Sequence, residues 1–296
     1  MANPHCFDRL TDACRATGSS LCVGLDPHQE ILPPDTKGLG IVKHVRDFLF
    51  GVVDAVAGVV PCVKPQIAFF EELGPDGYAL YFDVVRAAHR RGLFVIGDVK
   101  RGDIGSTSLA YAKAHLGADD GSAADALTVN PYLGFDGVEP FLKVGRPKGR
   151  GLFVLARTSN ASAKEFQDVG PAGDPLYMMV GRKLEQWGAT NVGAHGFTDC
   201  GAVVGATHPD EGAKLRAALP KTFFLVPGFG AQGATAADVA RTFDAKGGGA
   251  VVNSSRAILL AWKSALDGAR RFAELARDAA QAASRAIAEA VAARAS

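Results

Sequence analysis

Short apolar runs alternate with segments of helical periodicity along the whole chain. The runs at 21–25, 59–64, 94–100, 126–130, 152–156, 202–206, 223–227 and 250–253 predict eight strands. Apolar residues spaced by three and four predict helices at 41–57, 76–91, 105–116, 137–144, 175–187, 208–219, 235–243 and 257–294. Near-continuous apolar strands are buried on both faces, and strand–helix alternation builds parallel sheets. The pattern therefore predicts an α/β protein: one (β/α)8 TIM barrel domain over 1–296, with an N-terminal helix and a long C-terminal helix. A doubly wound open sheet is the alternative architecture.

Local signals refine this outline. Asp136 three residues before Glu139, and Thr207 three before Asp210 with Pro209 between, predict helix N-termini. Gly92, Gly117 and Gly145 predict helix ends. Residues 158–174 lack periodicity and contain Pro171 and Gly173, so they predict a long loop after the fifth strand. In the tail, Ile258, Leu259, Trp262, Leu266, Phe272 and Leu275 fall near helical spacing and predict a closing helix with an exposed extension.

Composition narrows the function classes. With 296 residues and 48% apolar content the chain can bury a large core. A net charge of +1 gives no signal for nucleic-acid or polybasic membrane binding. The first ten residues lack the apolar core of a signal peptide. The apolar stretch 48–63 carries Asp54 and Pro61 and is shorter than the ~20 residues of a membrane span. Cys6, Cys14, Cys22, Cys62 and Cys200 form no Cys-x-x-Cys pair, which predicts reduced thiols, a cytoplasmic protein and no structural zinc.

The candidate chemistry centres on Asp98-Val99-Lys100-Arg101-Gly102-Asp103-Ile104, at the end of the third strand. Side chains two apart share a strand face, so Asp98 and Lys100 point the same way. Charge is costly to bury unless paired, so such a cluster signals function more than folding. Barrel sites lie at the carboxyl ends of the strands. There the sequence places Asp26, Lys64-Pro65-Gln66, Arg157-Thr158-Ser159-Asn160, Pro227-Gly228-Phe229-Gly230-Ala231-Gln232-Gly233 and Asn253-Ser254-Ser255-Arg256. Glycines that expose backbone N–H groups, followed by an arginine at a helix start, suit a phosphate. The plainer reading of these two loops is a glycine-rich turn and a surface arginine. Lys64 alone reads as a rim charge; beside Asp26, Asp98 and Lys100 it reads as part of a network. His195 and His208 lack metal-ligand spacing and read as structural. Ser159 lacks a nucleophile elbow.

The run Asp98-x-Lys100-x-x-Asp103-Ile104-Gly105-Ser106-Thr107 resembles the signature of the orotidine 5′-phosphate decarboxylase family. Leu25-Asp26, Lys64, Pro227-Gly228-x-Gly230-Ala231-Gln232-Gly233 and Ser255-Arg256 match in the same order, from the first strand to the eighth. The length, with Asn130-Pro131-Tyr132-Leu133-Gly134 and Val203-Val204-Gly205-Ala206-Thr207, resembles the longer bacterial (type 2) branch. The resemblance implies cofactor-free decarboxylation of orotidine 5′-phosphate to uridine 5′-phosphate, by a homodimer with shared sites. It implies that Lys100 protonates C6 and that Asp98 lies beside the substrate carboxylate. Asp103 and Thr107 would reach across the interface, Asp26 and Lys64 would bind ribose hydroxyls, Gln232 and Arg256 would hold the phosphate, and Pro227, Gly228 and Ser255 would be further substrate-binding residues. Ser159 would meet the pyrimidine, with Thr158 and Asn160 as alternatives in that loop.

Three rivals remain at this stage. A metal-dependent sugar-phosphate decarboxylase or aldolase of the same superfamily would want a further carboxylate after strand 2, where Lys64-Pro65-Gln66 stands, although Glu71 and Glu72 follow. An aldolase could use Lys100 as a Schiff-base nucleophile. A non-catalytic phosphate-binding barrel is the third, since fold alone never proves activity.

Overall fold

The structure is a computed structural model and describes residues 3–34, 38–230 and 233–295. Eight parallel strands close into a barrel in sequence order: β1 (Leu21–Leu25), β2 (Cys62–Pro65), β3 (Phe94–Arg101), β4 (Ala126–Val129), β5 (Gly151–Arg157), β6 (Cys200–Val204), β7 (Phe224–Pro227) and β8 (Ala250–Ser254). β8 pairs back onto β1, so no open edge remains. The closed barrel is the architecture expected from sequence, and the open sheet is excluded.

Strand alternation sorts the core into two layers. Cys22, Cys62, Phe94, Ile96, Ala126, Phe153, Val203, Leu225 and Val251 fill the barrel interior. The neighbouring residues Val23, Val63, Val95, Leu127 and Val252 face outward, into the layer shared with the helices. The N-terminal helix Cys6–Thr17 plugs the bottom: the Phe7 ring lies 5.0 Å from both Phe153 and Phe223. With the bottom filled by aromatic rings, the opposite mouth is left for polar chemistry.

Several local expectations need correction. The tail is not one helix. Arg256–Leu259 forms a single turn, Ala261–Ser264 a 3-10 turn, and only Phe272–Ala295 is a long helix. Between them the chain folds back so tightly that a Cβ on Gly268 would lie 1.7 Å from the Trp262 carbonyl oxygen. Trp262 is anchored to the Ile31 carbonyl (2.9 Å), while Leu266 is fully exposed rather than on a buried face. Asp136 and Thr207 do not cap helices. Phe135–Gly145 starts after Gly134 and Pro209–Ala218 after His208, neither with a side-chain cap. The capping box is instead Thr235 with Asp238, ahead of the short helix Ala236–Ala240. Gly92, at φ +74°, does follow the end of Gly74–Arg90, whereas Gly145 runs on into a 3-10 turn. The segment 158–174 carries two short helical turns, Ala161–Ala163 and Lys164–Gln167.

Candidate active site

β3 sets the geometry of the mouth. Its pairing with β4 runs Ile96↔Ala126 and Gly97↔Leu127, then shifts to Arg101↔Val129. Asp98, Val99 and Lys100 are thus crowded opposite Thr128 alone. The bulge puts Lys100 at φ +46°, the one positive φ at a non-glycine among the described residues. A left-handed conformation costs an L-residue about 1–2 kcal/mol, and such strain concentrates at functional sites.

The carboxylate of Asp98 is the hub. Its Oδ2 accepts from Lys64 Nζ (2.6 Å) and Gln66 Nε2 (3.0 Å). Its Oδ1 accepts from Lys100 Nζ (2.5 Å) and Thr128 Oγ1 (2.8 Å). Burial alone would raise the Asp98 pKa, but the Lys64 and Lys100 ammonium groups outweigh it and hold the carboxyl well below the usual range. Burial alone would lower the Lys64 pKa; Asp98 first and Asp26 second outweigh it and raise it above its ordinary value. The array is therefore cation–anion–cation at neutral pH, with every Asp98 contact a donor. The Lys64 side chain is 6% exposed and that of Lys100 46%, so Lys64 is a fixed wall and Lys100 faces the mouth.

Asp26 follows β1, with its Oδ1 4.0 Å from Lys64 Nζ. That oxygen is buried and accepts no hydrogen bond from the described residues, so it is available to a ligand hydroxyl. Beside it, Gly24 gives room to the end of β8: a Cβ there would lie 1.8 Å from Ser255 Oγ. Asn253 projects inward from β8, and its Oδ1 is also buried without a hydrogen-bond partner among the described residues.

Across the mouth, Pro227 ends β7 and leads into Gly228 (φ +105°), Gly230 (φ +74°) and Gly233 (φ +90°). Gly230 N donates to the Ala234 carbonyl (3.1 Å), which pins the loop's ends together. Gln232 lies outside the described residues. Ser255 precedes the turn Arg256–Leu259, and Arg256 is exposed with no ion pair among the described residues. In the β5 loop, Thr158 Oγ1 donates to Asn160 Oδ1 (2.6 Å) and accepts from Gln167 Nε2 (2.6 Å). The Ser159 backbone rests on Gly205, where a Cβ would come within 2.9 Å of it.

Asp103 and Thr107 do not join this constellation within the chain. Asp103 Oδ1 accepts from Ile104 N (2.8 Å) and makes no ion pair among the described residues. Thr107 is exposed on the first turn of Gly105–Leu116. The charge cluster of the sequence therefore resolves into a hub at Asp98 and Lys100 and an outlying Asp103. His195 is structural, as expected, with Nε2 2.7 Å from Asp12. The sequence reading gave no role to Thr128, Gln66 or Asn253. The one signal for Thr128 was a hydroxyl inside the otherwise apolar β4. Among the described residues no group of three or more His, Cys, Asp or Glu is arranged to hold a metal ion.

Fold and mouth together define a (β/α)8-barrel protein with a preassembled lysine–aspartate–lysine array and a glycine-rich loop after β7. The chain belongs to the orotidine 5′-phosphate decarboxylase / HUMPS family, whose model matches residues 19–269. It is 46% identical over 266 residues to the orotidine 5′-phosphate decarboxylase of Rhodopirellula baltica, covering 86% of this chain and 88% of that one. A crystal structure from Streptomyces avermitilis superposes with a TM-score of 0.83 at 38% identity, covering 99% of this chain and 98% of the other. The OMP decarboxylase of Leishmania donovani superposes with a TM-score of 0.77 at 30% identity, covering 98% and 99%.

Proposed function

We propose that Lys100 is the acid in the decarboxylation of orotidine 5′-phosphate to uridine 5′-phosphate, the step of pyrimidine biosynthesis that the family and its named relatives assign to this chain. The observation that carries the assignment is the hub at Asp98, which holds a half-exposed Lys100 ammonium at the mouth while Lys64 stays buried.

The chemistry follows from charge. The bond from C6 to the carboxylate breaks and leaves its electron pair in the ring plane at C6. No adjacent carbonyl is placed to take it up. A fixed ammonium stabilises that carbanion as it forms, then gives it a proton from Nζ. Asp98 beside the substrate carboxylate adds repulsion of about 4 kcal/mol at ~4 Å and an effective dielectric of 20. Enzymes lower barriers by about 8–23 kcal/mol, so stabilisation by Lys100 is the larger contribution. No step requires a metal or an organic cofactor.

Binding groups surround this centre. Asp26, whose Oδ1 accepts no hydrogen bond from the described residues, and Lys64 take ribose hydroxyls. Pro227, Gly228, Gln232, Ser255 and Arg256 hold the phosphate, on the strength of the left-handed glycine backbone and an exposed Arg256 with no ion pair among the described residues. Ser159 is favoured for the pyrimidine, because Thr158 and Asn160 are engaged with each other. Asp103 and Thr107 complete the site of a second copy in a homodimer. Supporting this, Ile104, Tyr132 and Leu133 are 56%, 83% and 47% exposed around them. The chain works as one barrel domain over 1–296, in a reducing cytoplasm that suits its five free cysteines. Among the described residues no helix is long and apolar enough to cross a membrane.

The test is turnover of orotidine 5′-phosphate, followed by loss of its ultraviolet band, before and after exhaustive treatment with chelator. Full activity in chelator is expected. Activity lost in chelator and restored by magnesium would favour the metal-dependent relatives, against which Lys64 already stands in place of a carboxylate.

A further inference from the structure

The bulge in β3 leaves one residue of β4, Thr128, to meet the three residues around the reacting centre. Its hydroxyl is fully buried and does two jobs. It accepts from the backbone N–H of Lys100 (3.0 Å), where a regular parallel ladder would offer a carbonyl. It donates to Asp98 Oδ1 (2.8 Å). A hydroxyl has one proton and an amide can only donate, so the direction of both bonds is fixed. Asp98 Oδ1 in turn receives Lys100 Nζ (2.5 Å), which closes a ring from Lys100 backbone to Lys100 ammonium. The same Lys100 carries the lone non-glycine left-handed φ among the described residues, a conformation that persists only where its surroundings enforce it.

We infer that Thr128 is a positioning residue for catalysis: its hydroxyl locks the left-handed backbone of Lys100 to the Asp98 carboxylate and so aims the ammonium. This rests on the reading of Lys100 as the acid. Thr128 is 1% exposed and both its hydroxyl bonds run to Lys100 and Asp98, so its loss acts on the placement of the proton donor and leaves nucleotide binding alone. A displacement near 1 Å at a reacting centre is enough to cost about a hundredfold in rate.

The experiment compares Thr128→Val, which keeps the shape and removes the hydroxyl, with Thr128→Ser, which keeps the hydroxyl. For each, kcat and KM are measured on orotidine 5′-phosphate and Kd on uridine 5′-phosphate, with Lys100→Ala in parallel. We expect kcat to fall about ten- to a hundredfold in Thr128→Val, with KM and Kd within about threefold of wild type, and Thr128→Ser to recover most of the rate. Should Thr128→Val fail to fold, Thr128→Ala, which cannot clash, takes its place with the same expectation. An unchanged kcat in the valine variant, equal losses in valine and serine variants, or a loss confined to nucleotide affinity would overturn the inference while Lys100→Ala stays inactive. Turnover retained in Lys100→Ala would remove the acid assignment itself, and this inference with it.

Discussion

Asp98 collects four donors, two of them ammonium groups, and this explains how so much charge survives at the end of an apolar strand. Removing one side of a buried pair is far more costly than the pair is worth, because the other charge stays behind. Asp98→Asn strands the 6%-exposed Lys64, and we expect urea unfolding to show a loss of about 3 kcal/mol. A loss under about 1 kcal/mol would mean that water already reaches Lys64. Arg256 makes the opposite case: it is exposed and unpaired among the described residues, so Arg256→Ala is expected to leave stability unchanged. It should raise KM about tenfold or more, since hydrogen bonds to charged groups contribute about 1.5–3 kcal/mol. Unchanged KM and kcat would take Arg256 out of the phosphate site. Asp98, Lys100 and Lys64 were legible in the sequence because charge interrupts apolar runs there. Thr128 was not, because a threonine in a buried strand is ordinary and its role depends on a bulge that local spacing does not encode.

Strands and helices followed the alternation of apolar runs closely where that pattern was dense, as at β1 and at Gly105–Leu116. β2 begins at Cys62 instead of 59 because Val59 and Val60 are still bonded back to the Val56 carbonyl, finishing the turn after Ile41–Val56. The tail misled for a different reason: helical spacing persists across a reversal that depends on one glycine packed against a carbonyl. Tertiary ties between elements also make testable pH behaviour. His89, in the helix Gly74–Arg90, faces the Gly121 carbonyl with Nδ1 (2.8 Å) and Asp125 Oδ2 with Nε2 (2.9 Å). Both neighbours are acceptors, so both ring nitrogens carry protons. Burial would lower the His89 pKa, but the bond to Asp125 outweighs it and the pKa is raised. A raised folded pKa gives stability that is fully present below the unfolded value of about 6.5 and is lost as pH climbs through the folded value. The stability of wild type over His89→Gln should therefore shrink from about pH 6 towards pH 9. A difference independent of pH across that range would show a neutral imidazole.

The whole molecule is a barrel with a plugged floor and a charged mouth, and the single chain leaves Asp103 and Thr107 outside its own site. If they serve a second copy, two inactive variants should rescue each other. In a mixed dimer of Lys100→Ala and Asp103→Ala, one site is doubly broken and the other intact. Random reassociation then restores roughly a quarter of wild-type activity, and no recovery would mean that each copy works alone. Beneath the question of assembly lies the claim that one ammonium, held against Asp98, both steadies the carbanion and protonates it. The most direct test is the kcat of Lys100→Ala on orotidine 5′-phosphate, read beside the affinity of the same variant for uridine 5′-phosphate. The account predicts turnover below one ten-thousandth of wild type, about 5 kcal/mol of lost stabilisation, with the product still bound within about tenfold. A kcat close to wild type would contradict it.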